Sequence, residues 1–292
     1  MIITKLNGGL GNQLFQYACG RALSLRNGDM VKLDITSYAA QANNPGMRAE
    51  TVRVYSLGHF AVHEQIATDD EIRRLKYPHG IVSKGWRFAK KKFLRQFNIG
   101  FHSRIFSKKG DFYLDGYWQT PLYFNDAEKE IRKDLVLKKS FGPAADAIFE
   151  KINADAAAVS LHVRRGDYVT NSRISERHGL CSPEYYDRAT AEMTKRVGAF
   201  NLYIFSDDIA WVRDNMKFPS PATFVSAAGI PDYEELALMG ACRHHITANS
   251  SFSWWGAWLN PRQDKVVITP RRWVDFGNRK HKDMIPPSWI RL

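Results

Sequence analysis

The sequence of 292 residues has little of what marks several protein classes. It contains three cysteines, Cys19, Cys181 and Cys242, whose wide spacing fits neither a disulfide framework nor a zinc site. Its apolar runs fall far short of the roughly 18 residues that a membrane-spanning helix needs. The segment after Met1 has no signal-peptide pattern, because no charged stretch precedes an apolar one. These absences predict a folded cytoplasmic protein with reduced thiols.

The motifs of several enzyme classes are missing as well. No Gly-x-Ser-x-Gly elbow occurs, which disfavours a hydrolase with a serine nucleophile. No Asp-x-Asp triplet occurs, which disfavours a metal site, and no other cofactor is expected. The turn Gly9-Leu10-Gly11 lacks the third glycine of the dinucleotide fingerprint, since Leu14 stands at that place. A dinucleotide oxidoreductase stays open as an alternative, because Asp34 has the expected spacing for a ribose contact.

Charge is unevenly distributed. Basic residues outnumber acidic ones by 42 to 30, which gives a formal net charge of +12. We interpret the two most basic segments first as solvated faces, and prefer transient attachment to an anionic membrane among their functional roles. A nucleic-acid partner is not expected, because no zinc-finger, KH, RRM or dsRBD signature accompanies the charge. The basic residues of these segments are Arg87, Lys90, Lys91, Lys92, Arg95, Arg104, Lys108 and Lys109, and Arg271, Arg272, Arg279, Lys280 and Lys282.

Strands and helices alternate along the C-terminal half of the chain. This alternation predicts right-handed βαβ units and a parallel sheet. Asp232 and Glu235 have the spacing of a capping box at the start of one of the helices. The predicted strands are 159–163, 201–205, 222–225, 245–248 and 265–269, and the predicted helices are 183–197, 208–216, 232–242 and 251–259.

The N-terminal half begins in the same way and then becomes less regular. A strand at 1–6, a glycine-rich turn at 7–11, a helix at 12–26 and a strand at 31–35 are predicted. A loop at 41–55 and a basic, aromatic insertion at 84–109 follow, before a strand at 112–118 and a helix at 122–135. Residues 140–143 have the composition of a linker. We therefore expect two α/β domains, covering residues 1–140 and 141–292.

The most informative motif is His-Val-Arg-Arg-Gly-Asp-Tyr at 162–168. It follows an apolar run typical of a buried parallel strand. Ligands of open α/β sheets bind outside the carboxyl ends of the strands. Arg164 and Arg165 would lie there, and a pair of guanidinium groups can hold a diphosphate bidentately. The simpler alternative is that both arginines are surface residues paired with acids such as Asp167.

Two further turns predict binding chemistry. Asn12 and Gln13 follow the glycine-rich turn at a helix start, where their amides could grip sugar hydroxyls. Ser250 and Ser251 begin another predicted helix, whose free N–H groups would suit phosphate oxygens. Its simpler interpretation is an ordinary N-cap. Asp208 is expected to cap a helix, with Asp207 near the ligand.

Together these motifs resemble the bacterial α-1,2-fucosyltransferases, a family of GDP-fucose-dependent enzymes. The resemblance rests on residues 8–18, 162–168 and 249–255, with support from Gly-Tyr-Trp-Gln at 116–119 and Ser-Pro-Glu-Tyr-Tyr at 182–186. The motifs occur in the expected order over nearly the whole chain. The resemblance implies a GT-B-like α/β fold, with two Rossmann-type domains facing across a cleft. It also implies inverting, metal-independent transfer of L-fucose from GDP-β-L-fucose to O2 of a terminal galactose in a glycan.

The same resemblance assigns roles to individual residues. Arg164 would bind the β-phosphate and stabilise departing GDP, His162 would touch the nucleoside or diphosphate, and Asn12 would lie near the fucose and the attacking hydroxyl. These three are the predicted catalytic residues, and no catalytic base is assigned. The predicted substrate-binding residues are Gly9, Gly11, Gln13, Arg165, Asp167, Asp207, Glu235, Asn249, Ser250, Ser251 and Phe252. Among them Glu235 would read guanine, while Arg165 and Asp167 would hold the motif in shape.

Two alternatives stay open alongside this assignment. The chain could use another GDP-sugar, such as GDP-mannose, or form another linkage. It could also bind a sugar or nucleotide without catalysis.

Overall fold

The computed structural model describes residues 1–43, 53–77, 101–166, 179–273 and 283–292. Its contacts divide the chain into two compact units. Within the described residues, unit 1 comprises everything up to Val136 together with 283–285, and unit 2 comprises the chain from Leu137 to residue 273 together with 286–292. No helix in these ranges is both long and apolar enough to cross a membrane.

Unit 1 is built on a parallel sheet of three strands. The strands are β1 (Ile2–Lys5), β2 (Val31–Asp34) and β3 (Phe112–Leu114), in the order β2-β1-β3. Helix α1 (Leu10–Asn27) connects β1 to β2 and is buried on almost every side, because only Asn12 and Arg21 are not buried between Leu10 and Ser24. The other helices of this unit are α2 (Thr36–Asn43), α3 (Asp69–Lys76) and α4 (Glu128–Asp134). Because all three strands are parallel, the turns after β1 and β3 lie at the same edge.

Two predictions for unit 1 are wrong in their extent. Strand β3 ends at Leu114 and not at 118, and the backbone of Trp118 has a left-handed φ of 55°, which no strand accommodates. The predicted helix 122–135 is divided into two short 3-10 turns, Pro121–Tyr123 and Asn125–Ala127, followed by α4. Thr120 caps the first turn by accepting a hydrogen bond from the Leu122 N–H, with proline in the first position.

Unit 2 contains a parallel sheet of six strands. Its elements are α5 (Pro143–Ala154), β4 (Ala158–Val163), α6 (Pro183–Val197), β5 (Asn201–Ser206), α7 (Ile209–Asn215), β6 (Ala222–Phe224), α8 (Asp232–Ala241), β7 (His244–Ile246), α9 (Ser251–Leu259), β8 (Val267–Thr269) and β9 (Ile290–Arg291). The strand order is β6-β5-β4-β7-β8-β9 and every pairing is parallel. The predicted βαβ alternation is therefore confirmed.

This strand order places a topological switch point between β4 and β7. From β4 the chain proceeds to β5 and β6 on one side, and then returns to β7 and β8 on the other. Crossovers on opposite sides open a crevice at the carboxyl ends of the two central strands, and ligands of doubly wound sheets bind there. Apolar clusters cover both faces of the sheet, one with Tyr185 and Met193 of α6 and the other with Leu238 and Met239 of α8.

The local predictions for unit 2 failed at two helix starts. Helix α8 has Pro231 as its N-cap and Asp232 in its first turn, so the predicted capping box is wrong. Pro143, predicted to lie in a linker, instead occupies the first turn of α5. Proline suits that position because a first-turn N–H has no partner within the helix.

Candidate active site

Arg164 lies at the carboxyl end of β4, fixed by an acid from the neighbouring strand. All six residues of β4 are buried, and Arg164 follows the last of them. Its Nη1 lies 2.9 Å from Oδ2 of Asp207, which follows the last residue of β5. The two side chains are 18% and 25% exposed, so the ion pair is partly screened but still open to a ligand. The pair holds a guanidinium at the crevice.

Asp207 also shapes the turn that carries the arginines. Its Oδ1 accepts a hydrogen bond of 2.8 Å from the backbone N–H of Arg165. A methyl group on Gly166 would lie 2.3 Å from Asp207 Oδ2, so only glycine leaves room for the carboxylate. One aspartate thus fixes both the backbone of the turn and the guanidinium of Arg164.

Arg165 is committed to a different element, α7. Its Nε donates to Oδ2 of Asp208 over 3.3 Å, and its guanidinium carbon lies 3.4 Å from the ring centroid of Trp211. Asp208 caps α7 by accepting a hydrogen bond from the Trp211 N–H, as predicted. These contacts fit a shaping role for Arg165. Each arginine is paired with an acid, Arg164 with Asp207 and Arg165 with Asp208. Asp167, the acid named in the simpler alternative, lies outside the described residues.

His162 is a buried neutral imidazole beside Arg164. The residue is 4% exposed, and its Nδ1 has no hydrogen-bond partner among the residues that the structure describes. Burial, and then the charge of Arg164, lower its pKa to about 3. The ring is therefore uncharged at neutral pH. Because a buried polar atom without a partner is unusual in a folded protein, Nδ1 is suited to meet a ligand.

The start of α9 lies beside His162. The ring centroids of His162 and Phe252 are 5.7 Å apart. Ser250 caps the helix and accepts a hydrogen bond of 3.3 Å from the Phe252 N–H, and Ser251 is the first helical residue. Strand β7, which leads to this turn, pairs directly with β4. The arginine turn and the hydroxyl-rich helix start therefore meet at one edge of one sheet.

Asn249 holds neighbouring segments of the chain together. Its Nδ2 donates to the carbonyl of Gly179 at 3.0 Å, and its Oδ1 accepts from Sγ of Cys181 at 3.5 Å. The residue is 4% exposed. Its amide therefore stabilises the loops that surround the helix start.

Glu235 of α8 is a half-buried acid, and the charge of Asp207 acts on it. Burial is the main cause that raises its pKa to about 7, aided by the negative charges of Asp232 and Asp207 and opposed by a hydrogen bond with Ser226. The interaction with Asp207 puts Glu235 in the neighbourhood of the Arg164 ion pair. An acid with this pKa can exchange a proton near neutral pH.

In unit 1 the glycine-rich turn ends at α1, with Gly9 as its N-cap and Gly11 buried in the first turn. Gln13 is fully buried, and its amide contacts three backbone groups: the carbonyls of Gly8 and Val54 and the N–H of Ser56. It therefore ties the turn to 54–56 instead of presenting its amide to a sugar. Asn12 stays at the edge of the sheet, where its Oδ1 accepts a hydrogen bond of 2.8 Å from Gln119 Nε2.

Sequence reasoning missed Arg53, which lies beside the same turn. A methyl group on Gly9 would be 3.7 Å from Nη1 of Arg53, so the guanidinium covers the glycine backbone. Arg53 falls within the predicted loop 41–55, where no motif marked it. Only the packing of that segment against the turn reveals a cation there.

Comparisons with known proteins show which family the chain belongs to. The model of glycosyl transferase family 11 matches residues 1–292. The chain belongs to glycosyl transferase family 11. It is 30% identical to an alpha-1,2-colitosyltransferase from Escherichia coli, over 100% of this chain and 99% of that protein. It is 20% identical to the galactoside 2-alpha-L-fucosyltransferase Sec1 from Mus musculus, over 89% of this chain and 64% of the mouse protein.

A solved structure agrees in fold. The fucosyltransferase NodZ from Bradyrhizobium has a TM-score of 0.51 and 14% identity, with 89% of this chain and 93% of NodZ covered. Another NodZ crystal was soaked with GDP-fucose. The predicted GT-B-like α/β class is therefore confirmed for this family 11 glycosyltransferase.

The predicted attachment of this family 11 enzyme to a membrane is not tested by that comparison. Membrane attachment depends on its basic segments, and much of both, residues 87–100 and 274–282, lies outside the described residues. Membrane attachment stays a prediction.

Proposed function

We propose that this family 11 glycosyltransferase transfers L-fucose from GDP-β-L-fucose to O2 of a terminal galactose in a glycan, with inversion at the sugar carbon. One observation carries the proposal. An arginine fixed by Asp207 and the start of α9 lie together at the switch point of a doubly wound sheet. This arrangement suits a diphosphate, which carries negative charge on several oxygens.

The diphosphate is the leaving group in this reaction. Negative charge develops on its β-phosphate oxygens as the bond to the fucose carbon breaks. Arg164 can stabilise that charge, and Ser250, Ser251 and the first N–H groups of α9 can bind neighbouring oxygens. Because Asp207 holds Arg164 beforehand, little reorganisation is needed when the charge forms. We propose that this positive environment replaces a metal ion.

We propose that Glu235 and His162, on which Asp207 and Arg164 act electrostatically, recognise the nucleoside. Deprotonated Glu235 would accept hydrogen bonds from guanine N1 and N2. Neutral His162, with its buried Nδ1, would contact the nucleoside or the diphosphate, and Phe252 packs against its ring. Unit 2 is accordingly proposed to bind the donor, and Asn12 of unit 1 is proposed to take part in binding the attacking hydroxyl.

One observation favours a second candidate donor. The E. coli relative that matches the whole chain is named for colitose, not fucose. Colitose is L-fucose without its 3-hydroxyl group, so the two GDP-sugars share every group that the unit 2 residues are proposed to bind. The choice between them depends on contacts to one hydroxyl of the sugar.

A donor panel tests the proposal. The purified enzyme is incubated with GDP-fucose, GDP-colitose or GDP-mannose, and with lactose, N-acetyllactosamine or galactosyl-N-acetylgalactosamine as acceptor. GDP release measures turnover, and NMR of the product identifies the linkage. The proposal expects GDP-fucose to give the highest kcat/KM and an α-1,2-linked product. A clear preference for GDP-colitose would establish the second candidate, and failure with all three donors would contradict both.

A further inference from the structure

The turn after β3 lies beside the glycine-rich turn at the carboxyl edge of the unit 1 sheet. Strand β3 pairs with β1 in parallel, so both turns leave the sheet at the same edge. Lys5 at the end of β1 forms an ion pair of 3.5 Å with Asp115, directly after β3. Gln119 then hydrogen-bonds to Asn12, as described above. Residues 115–119 are therefore fixed against the glycine-rich turn and the start of α1, which carries Asn12.

Trp118 in this turn has an unusual backbone. Its φ of 55° is the one positive φ of a non-glycine residue in the described parts of the chain. The left-handed conformation is unfavourable for a residue with a β-carbon, because that carbon comes too close to the following carbonyl oxygen. Strain of this kind persists where surrounding contacts enforce it, and it is concentrated at ligand sites. The conformation therefore needs both a structural cause and a use.

The cause is the packing of the indole ring. The ring meets Tyr123 edge-on with centroids 5.4 Å apart. It also folds back over Gly116, where a methyl group would lie only 2.9 Å from the indole Cε2. The Trp118 Nε1 is buried and has no hydrogen-bond partner within the described ranges. The packing of the indole ring thus holds the turn in one conformation despite the strained backbone of Trp118 and an indole N–H that has no partner among the described residues.

The functional role of this conformation lies in the side chains of Tyr117 and Gln119, the two neighbours of Trp118. Tyr117 is 46% exposed, and its phenol lies close enough to Tyr38 to add to the effect of burial in raising the pKa of Tyr38. Gln119 donates through Nε2, while its Oε1 accepts no hydrogen bond from any residue that the structure describes. The exposed ring of Tyr117 and the amide oxygen of Gln119 therefore lie on either side of Trp118, whose packing fixes the turn.

We propose that Tyr117 and Gln119 form the subsite for the terminal sugar of the acceptor, with Trp118 as the positioning residue; this inference rests on the proposed function. A galactopyranose ring has one face of C–H groups, which can pack on the ring of Tyr117. Its hydroxyl groups can donate to Gln119 Oε1, a neighbour of Asn12. Aromatic rings give large contact area at low entropic cost, and a few polar groups give orientation.

The first test separates the acceptor from the donor. Tyr117→Ala is compared with the wild-type enzyme, with Tyr117→Phe and with Leu122→Ala, which shortens another exposed apolar side chain of unit 1 (40% exposed). The acceptor is the galactoside that wild-type enzyme uses best among the three named above. We expect Tyr117→Ala to raise the acceptor KM about tenfold, in line with the contribution of an aromatic contact. Tyr117→Phe should raise it less than threefold, and Leu122→Ala should not change it. GDP-fucose hydrolysis without acceptor should stay within twofold in every variant.

The second test addresses the positioning role. Gly116→Ala forces the indole of Trp118 to move, whereas Gly110→Ala adds a methyl group that meets nothing within 4 Å. Both glycines belong to unit 1, and Gly110 has a positive φ whereas Gly116 does not, so Gly110→Ala introduces backbone strain in unit 1 without displacing Trp118. Gly116→Ala should raise the acceptor KM with little change in donor hydrolysis, and Gly110→Ala should not.

The outcomes distinguish this inference from the proposed function. An unchanged acceptor KM in Tyr117→Ala, or an equal loss of donor hydrolysis, overturns the subsite while fucosyl transfer by the wild type stands. If the wild-type enzyme uses no GDP-sugar, the proposed function fails first, and the subsite fails with it.

Discussion

Replacing Glu235 by glutamine should make the protein more stable and at the same time a poorer binder of GDP. Raising the pKa of this carboxyl from 4.5 to about 7 means that its ionisation costs about 3 kcal/mol more in the folded protein than in the unfolded chain. The stability that the protonated form supports is complete below pH 4.5 and is lost as the pH rises through 7. Glutamine cannot ionise and avoids this loss.

The expected magnitude follows from these values. At pH 8 the wild type bears nearly the full cost, while the glutamine variant bears none but has a weaker hydrogen bond with Ser226. A hydrogen bond contributes about 1 kcal/mol, so Glu235→Gln should gain about 2 kcal/mol at pH 8. At pH 5 the gain should be below 1 kcal/mol. Urea unfolding followed by tryptophan fluorescence measures both values.

The same substitution should weaken GDP binding. Loss of the carboxylate removes charge-assisted hydrogen bonds to guanine, each contributing about 1.5–3 kcal/mol, so Kd should rise between about tenfold and a hundredfold. In the wild type, GDP binding should weaken as the pH falls below 7, because the carboxyl must first lose its proton. Calorimetry from pH 5.5 to 8 gives both measurements.

Glu150→Gln is the matched control. Glu150 is exposed on α5, so its replacement should change stability by less than about 0.5 kcal/mol and leave GDP binding unchanged. The reasoning is refuted if Glu235→Gln binds GDP as tightly as the wild type, or if it is less stable at pH 8.

Three further predictions follow from the site. Asp207→Asn keeps the shape of the side chain but weakens its ion pair with Arg164, so kcat should fall about tenfold in a steady-state assay. In the same assay Asp214→Asn, at an exposed position, should leave kcat unchanged. The pKa of His162 lies at about 3 in the folded protein and near 6.5 in the unfolded chain. The contribution of its neutral ring to folding stability is therefore complete above pH 6.5 and is lost as the pH falls toward 3. Relative to His162→Asn, the wild type should thus lose about 1.5 kcal/mol between pH 6.5 and 5 in urea titrations. Transfer should continue at an unchanged rate in excess EDTA, and a rate restored only by added divalent ions would show that Arg164 does not replace a metal.

The elements that carry Arg164 and Ser251 could be predicted because their signals are local. Strand β4 is a run of six buried residues, and α9 starts with a serine cap before a tryptophan-rich segment. Their meeting at one edge also followed from the sequence, because parallel strands separated by helices place all carboxyl ends together. The alternation of strands and helices in the C-terminal half thus determined most of unit 2.

What the sequence did not reveal depends on contacts between distant residues. The early end of β3 comes from the packing of Trp118 on Gly116 and Tyr123, which no local propensity predicts. Strand β9 has two residues and exists only as an edge pairing with β8. The partner of Arg164 is an aspartate 43 positions later, brought close by the pairing of β4 with β5.

The central claim is that the guanidinium of Arg164 stabilises the departing diphosphate, and the turnover number of Arg164→Ala tests it most directly. With GDP-fucose at saturation and a folded variant, verified by its circular dichroism and melting temperature, kcat should fall by a factor of about 10² or more, as for the loss of other groups that stabilise transition-state charge. A folded Arg164→Ala enzyme with wild-type kcat would contradict the account.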